Sequence, residues 1–217
     1  MTQTTIVGPH QGQPIYTTGK PLAEAKAAMI LVHGRGDSAP GILGLAQELA
    51  HPDFVYLAPQ ADGNTWYPFS FLEPLVRNEP GLSSGLAAIG DLVAQVEAAG
   101  IPAECMVLAG FSQGACLASE FVARHARRYG GLLVFSGGLI GPAATPRDYA
   151  GSLADTPVFI GCSDVDFHIP LARVEETAVI FTSLGANVNK QIYQGMGHTI
   201  VPDELEHARQ IVQLVSC

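Results

Sequence analysis

Charge is scarce in this chain: of 217 residues only 14% are Asp, Glu, Lys or Arg, and 11 basic residues face 20 acidic ones, a formal net charge of −9. A nucleic-acid surface needs clustered Lys and Arg to displace counterions from phosphates, and an electrostatic membrane anchor needs the same, so neither partner is expected. No apolar run reaches membrane-spanning length, and Met1 to Pro9 carry neither a basic stretch nor the apolar core of a secretory leader. A cytoplasmic protein without a stable membrane anchor is the expectation. Cysteine is limited to Cys105, Cys116, Cys162 and Cys217, with no paired or metal-ligand spacing, which predicts reduced thiols and no metal.

What the chain does have is apolar residues, 47% of the total, enough for one substantial core. A single domain over 1–217 is expected, with self-association into a homodimer left open. Six short apolar runs stand out: Ala28 to Val32, Phe54 to Ala58, Met106 to Ala109, Leu132 to Phe135, Pro157 to Ile160 and Lys190 to Tyr193. Most are continuous, as in strands covered on both faces. Helical patterns lie between them, over Ile42 to Ala50, Leu86 to Ala99, Ala115 to Arg128, Leu171 to Leu184 and Asp203 to Val215. The alternation predicts an α/β fold with a mostly parallel sheet and helices on both faces. An edge hairpin is expected between Thr4 and Thr18. Two long irregular stretches, 60–82 and 139–155, read as binding elements, the first because it carries Trp66, Tyr67, Phe69, Phe71, Leu72 and Leu75.

The run ending at Ala109 leads into Gly110-Phe111-Ser112-Gln113-Gly114 and then a helical pattern, the sequence form of a nucleophile elbow. A second Gly-x-Ser-x-Gly, Gly81 to Gly85, follows Asn78-Glu79-Pro80 instead of a strand, so Ser83 reads as a helix N-cap and Ser112 as the nucleophile. A serine hydroxyl needs a general base, and the base needs a carboxylate to orient it. His198 closes a glycine-rich turn after the last strand, and Asp164 and Asp166 follow the strand ending near Ile160. Serine, acid, histidine is also the chain order of α/β-hydrolases. His168 shares the acid loop and is the rival base. His51, His125 and His207 read as solvent-facing residues on helices or their ends, His10 lies in the unassigned N-terminal segment, and His33 suits an architectural role. The oxyanion hole needs two backbone amides, read as those of Gln113 and of Arg35 in the His33-Gly34-Arg35-Gly36-Asp37 loop.

Five ordered motifs, His33-Gly34-x-Gly36-Asp37, Pro59-Gln60-Ala61, Asn64-Thr65-Trp66-Tyr67, Gly110 to Ala115 and Gly195-Met196-Gly197-His198, make the chain resemble the phospholipase/carboxylesterase family from about Ala28 onward. The resemblance implies an α/β-hydrolase core without a large lid domain. It further implies a triad of Ser112, Asp166 and His198, and cofactor-free hydrolysis of carboxylic esters or thioesters. Family members commonly carry Asp-Pro-x-Val-Pro, and counting back four from Pro170 gives Asp166, with Phe167 where the family has proline; Asp164 stays as the alternative acid. The expected activity is that of a serine esterase on small-molecule esters with small to medium acyl groups. Trp66, Tyr67, Phe69, Phe71 and Phe167 are the candidate acyl-pocket residues. Acyl-protein thioesterase and lysophospholipase are the enzymatic alternatives, and an inactive hydrolase fold kept for binding is the non-enzymatic one.

Overall fold

The computed structural model describes residues 8–215 and 217. Seven strands, β1 (Ile15–Gly19), β2 (Ala27–Val32), β3 (Phe54–Pro59), β4 (Met106–Phe111), β5 (Gly131–Phe135), β6 (Pro157–Ser163) and β7 (Asn187–Tyr193), form one sheet. Their order is β1-β3-β2-β4-β5-β6-β7. Only β1 runs antiparallel to its neighbour. Every residue of β2, β3 and β5 is buried, which explains why their sequences read as unbroken apolar runs: each side chain meets a covering layer whichever way it points.

The helices are α1 (Ala39–Ile42), α2 (Leu45–Glu48), α3 (Gly81–Ala98), α4 (Gln113–Arg124), α5 (Leu171–Ser183) and α6 (Pro202–Leu214). The step from β2 to β3 and the step from β3 to β4 cross the sheet in opposite directions. Right-handed crossovers therefore place α1 and α2 on one face and α3 on the other. The chain has the α/β-hydrolase architecture, and β2 is the strand at which the order reverses. In open α/β sheets the crevice at the carboxyl ends beside that reversal is where ligands sit.

Several expectations shift. The single helix foreseen over Ile42 to Ala50 is two short ones, because Ser38 accepts the Gly41 N–H and starts a helix early at Ala39, and the chain breaks it at Leu43-Gly44. Helix α3 begins at Gly81, so Ser83 lies inside it; the Glu79 carboxylate accepts the Ser83 N–H at 3.0 Å and satisfies the helix start that Ser83 was expected to cap. Of the expected edge hairpin, β1 alone is present among the described residues, and the part before Gly8 lies outside them. The segment 139–155 is no cleft wall. Glu120 of α4 accepts the Ile140 N–H, Arg147 donates to the Ile140 carbonyl, and Arg173 of α5 donates to the carbonyls of Leu139 and Gly141, so this loop is pinned against α4 and α5.

The cysteine reading also needs correction. Cys105, just before β4, and Cys217, after α6, form a disulfide across 112 residues of sequence, with Cα atoms 6.1 Å apart. Spacing gave no sign of it because the fold alone brings the two ends together; Cys116 and Cys162 remain buried thiols. Closing a loop of this length stabilises a fold by up to about 4–5 kcal/mol in the chain-entropy account, with about 2–4 typical. Reduction of the wild type, or Cys217→Ser, is expected to lower the midpoint of thermal unfolding by roughly 5–15 °C. The serine variant should unfold at one temperature with or without reductant. A wild type equally indifferent to reductant would mean that the bond contributes nothing.

Candidate active site

Ser112 occupies the single residue between β4 and α4, with φ 55° and ψ −120°. A non-glycine residue at positive φ is strained, and here the strain lifts the hydroxyl clear of the sheet edge. The flanking glycines are sterically required: a Cβ on Gly110 would overlap the Gly114 carbonyl, and one on Gly114 would collide with the Val32 and His33 carbonyls at the end of β2. The elbow is thus a close approach of two strand ends as well as a tight turn.

His198 and Asp166 come to Ser112 from the loops after β7 and β6. The His198 Nδ1 lies 2.7 Å from Asp166 Oδ2, and its Nε2 lies 2.8 Å from Ser112 Oγ. A carboxylate only accepts, so Nδ1 carries the proton and Nε2 accepts from the serine hydroxyl. Asp166 has no exposed side-chain surface. Its other oxygen accepts the backbone N–H groups of His168 (2.8 Å) and Ile169 (3.0 Å), and the Cys162 thiol lies 3.8 Å from Oδ2. Burial pushes the Asp166 carboxyl up, but the hydrogen bonds from His198 and from the two amides outweigh it, and the net direction is down.

The rival residues have other places. Asp164 accepts the Gly195 N–H at 2.8 Å and so braces the glycine-rich turn that presents His198. The His168 ring stands edge-on to His198, centroids 4.7 Å apart, and makes no hydrogen bond to Ser112. His33 is buried; its Nε2 accepts the Ala61 N–H, which leaves Nδ1–H to donate to the Gly34 carbonyl, and burial holds its pKa down. His10, unassigned from sequence, plays a matching part: its Nδ1 accepts the Asp62 N–H and its Nε2–H donates to the Trp66 carbonyl, tying the N-terminal segment to the 60–82 loop. His125 is exposed, whereas His51 and His207 are only half-exposed.

Around Ser112 opens a cleft of about 490 Å³, lined by Gly34, Arg35, Tyr67, Phe69, Phe71, Phe111 and Cys116 together with His168, Ile169 and His198. Three of the five candidate acyl-pocket residues, Tyr67, Phe69 and Phe71, line it. Trp66 does not; it is fully buried behind the wall, its indole N–H donating to the His33 carbonyl at 2.9 Å. Phe167 does not line it either, being 80% exposed outside the rim. Both were singled out for apolar character, and an indole N–H needing a buried acceptor is what draws Trp66 inward. Cys116, four residues after Ser112 on the same helix face, went unnoticed in the sequence although the i, i+4 spacing points it at the cleft. Burial pushes its thiol up to about 12, which keeps it from acting as a nucleophile.

The Gln113 amide opens α4 directly after Ser112, and the β2 loop passes beside it: a Cβ on Gly34 would lie 3.4 Å from Phe111 and 3.5 Å from the Ser112 Cβ. Both segments expected to supply oxyanion donors therefore converge on Ser112. Among the described residues, no grouping of His, Cys, Asp and Glu is arranged to hold a metal ion and no helix is long and apolar enough to cross a membrane.

Comparison with known proteins bears on this geometry. The family model described as phospholipase/carboxylesterase matches residues 15–216. A solved phospholipase/carboxylesterase from Dyadobacter fermentans is 42% identical, superposes with a TM-score of 0.91, and is covered over 99% of its length by 95% of this chain. Esterase PE8 is 26% identical with a TM-score of 0.75, over 94% of this chain and 98% of its own. Acyl-protein thioesterase 1 of Saccharomyces cerevisiae is 30% identical over 87% of this chain and 92% of its own length. On the strength of that family match, the chain belongs to the phospholipase/carboxylesterase family and is a hydrolase acting on ester bonds.

Proposed function

We propose that this protein is a serine carboxylesterase that hydrolyses small to medium acyl esters through Ser112, His198 and Asp166. The observation that carries the reading is the unbroken chain of hydrogen bonds from Ser112 Oγ to His198 to Asp166, opening on a cleft sized for a small molecule. His198 Nε2 takes the Ser112 proton as Oγ attacks the ester carbonyl. Asp166, held ionised by its amide donors, balances the imidazolium without itself accepting the proton. The Gln113 and Arg35 amides receive the oxyanion. His198 then returns the proton to the departing alcohol, and water, deprotonated by the same imidazole, releases the acid from Ser112. No cofactor enters the scheme, and the partner is a small-molecule ester. Thioester hydrolysis is the second reading, favoured by the 30% identity to a protein named as an acyl-protein thioesterase. The location that goes with the reading is the cytoplasm. The Cys105–Cys217 bond weighs against it, since such bonds persist in oxidising compartments.

The test is a p-nitrophenyl ester series from acetate to palmitate run beside acyl thioesters, with a fluorophosphonate probe to label the nucleophile. The expected result is stoichiometric labelling at Ser112 and highest kcat/KM at short to medium acyl length. A tenfold preference for thioesters would move the assignment to the second reading. An enzyme that neither turns over esters nor takes the label would be a binding protein on a hydrolase fold.

A further inference from the structure

The Arg35 guanidinium is turned onto the wall of the cleft. Its Nη1 donates to the Pro68 carbonyl at 2.9 Å, and its Nη2 donates to the Tyr67 carbonyl at 2.9 Å and to the Phe69 carbonyl at 2.7 Å. Three consecutive carbonyls of an irregular segment converge on one side chain. The Tyr67 carbonyl is shared: Gln113 Nε2 also donates to it, at 2.8 Å, while Gln113 Oε1 accepts the Trp66 N–H at 2.9 Å. From its other end the same segment is braced by Asn78, whose Oδ1 accepts the Phe69 N–H and whose amide nitrogen donates to the Ser70 carbonyl.

Irregular segments have no ladder to satisfy their backbone groups, so whatever supplies the missing partners sets their position. For the carbonyls of Tyr67, Pro68 and Phe69 and for the Trp66 N–H those partners are the side chains of Arg35 and Gln113, the two residues whose backbone amides receive the oxyanion in the proposed mechanism. We propose that Arg35 is a positioning and specificity-determining residue. Its side chain locks the Tyr67–Phe69 wall to the loop that carries its own amide, so cleft shape and oxyanion geometry are set together. The proposal rests on the serine-esterase reading for its kinetic part only. The guanidinium suits the task because it offers a planar fork that stays charged, and charge-assisted donors hold carbonyls more firmly than neutral ones. A lysine could satisfy one carbonyl well and two poorly.

The test compares wild type, Arg35→Lys and Arg35→Met by hydrogen exchange over residues 66–71 and by kinetics on esters varied in acyl length and, separately, in alcohol size. All three keep a backbone amide at position 35. In Arg35→Met, exchange across 66–71 should rise at least tenfold with the rest of the sheet unchanged. Its kcat/KM should fall 10- to 100-fold, most of it in KM for the bulkier esters, with the size preference flattened. Arg35→Lys should recover part of both. Unchanged exchange together with an unchanged size profile would overturn the proposal, as would a loss confined to esters bearing a carboxylate, which would make the guanidinium a substrate contact. If wild type hydrolyses no ester and exchange still rises in Arg35→Met, the lock stands and the esterase reading falls.

Discussion

Ser112→Ala is expected to lower kcat by about five to six orders of magnitude while leaving the protein folded, the scale seen when a triad nucleophile is removed from a serine hydrolase. The size follows from the geometry. Without Oγ no group in the cleft can replace it, because the Cys116 thiol is pushed up to about 12 and His198 is committed to Asp166. What remains is an oxyanion site and a cleft that bind ester without attacking it. The fold tolerates the change because Ser112 makes one side-chain hydrogen bond, to His198, and its backbone is fixed by the Ser112 N–H to the Phe135 carbonyl at 2.9 Å. Alanine inherits the strain of φ 55°, whereas glycine does not. Ser112→Gly should therefore be as inactive as Ser112→Ala and unfold at a higher temperature. Steady-state kinetics on a p-nitrophenyl ester with parallel melting curves decide it. Turnover above about a hundredth of wild type in either variant would remove Ser112 from the mechanism.

Much of this could be read from the chain. The central strands were visible because burial on both faces leaves an unbroken apolar run, and the elbow because its glycines answer to collisions that any side chain would cause. What stayed hidden was the partnering of polar groups. Nothing in the order of residues shows that Asp164 would spend its carboxylate on the Gly195 amide while Asp166, two residues on, turns to His198. Nor does it show that Arg35 would reach three carbonyls some thirty residues away, or that Trp66 would turn its indole to the His33 carbonyl instead of the cleft. The Cys105–Cys217 bond belongs to the same class, a pairing made by the whole topology. Local pattern fixes which elements form; long-range contacts choose among polar residues that look equivalent in the sequence.

The choice between the two aspartates gives the second large effect. Asp166→Asn should lower kcat by about 10⁴, because an amide presents an N–H to Nδ1 as readily as an oxygen and no longer enforces the tautomer that leaves Nε2 free to accept. Asp164→Asn should cost less than about tenfold, since its amide oxygen can still accept the Gly195 N–H. Asp164→Ala, which cannot, should fall between them as the turn carrying His198 loosens. A stability measurement separates the same two residues. In the fold the Asp166 carboxyl lies below its ordinary value, so its ionised form stabilises the protein above the unfolded pKa, near 4. That contribution is lost as pH falls through the lower folded value. Asp166→Asn has no such group to protonate, and its unfolding free energy should decline less steeply than that of wild type below about pH 4. If Asp164→Asn instead proves the crippled variant, the acid has been misplaced, and the hydrogen bond from His198 to Asp166 serves only to hold a loop.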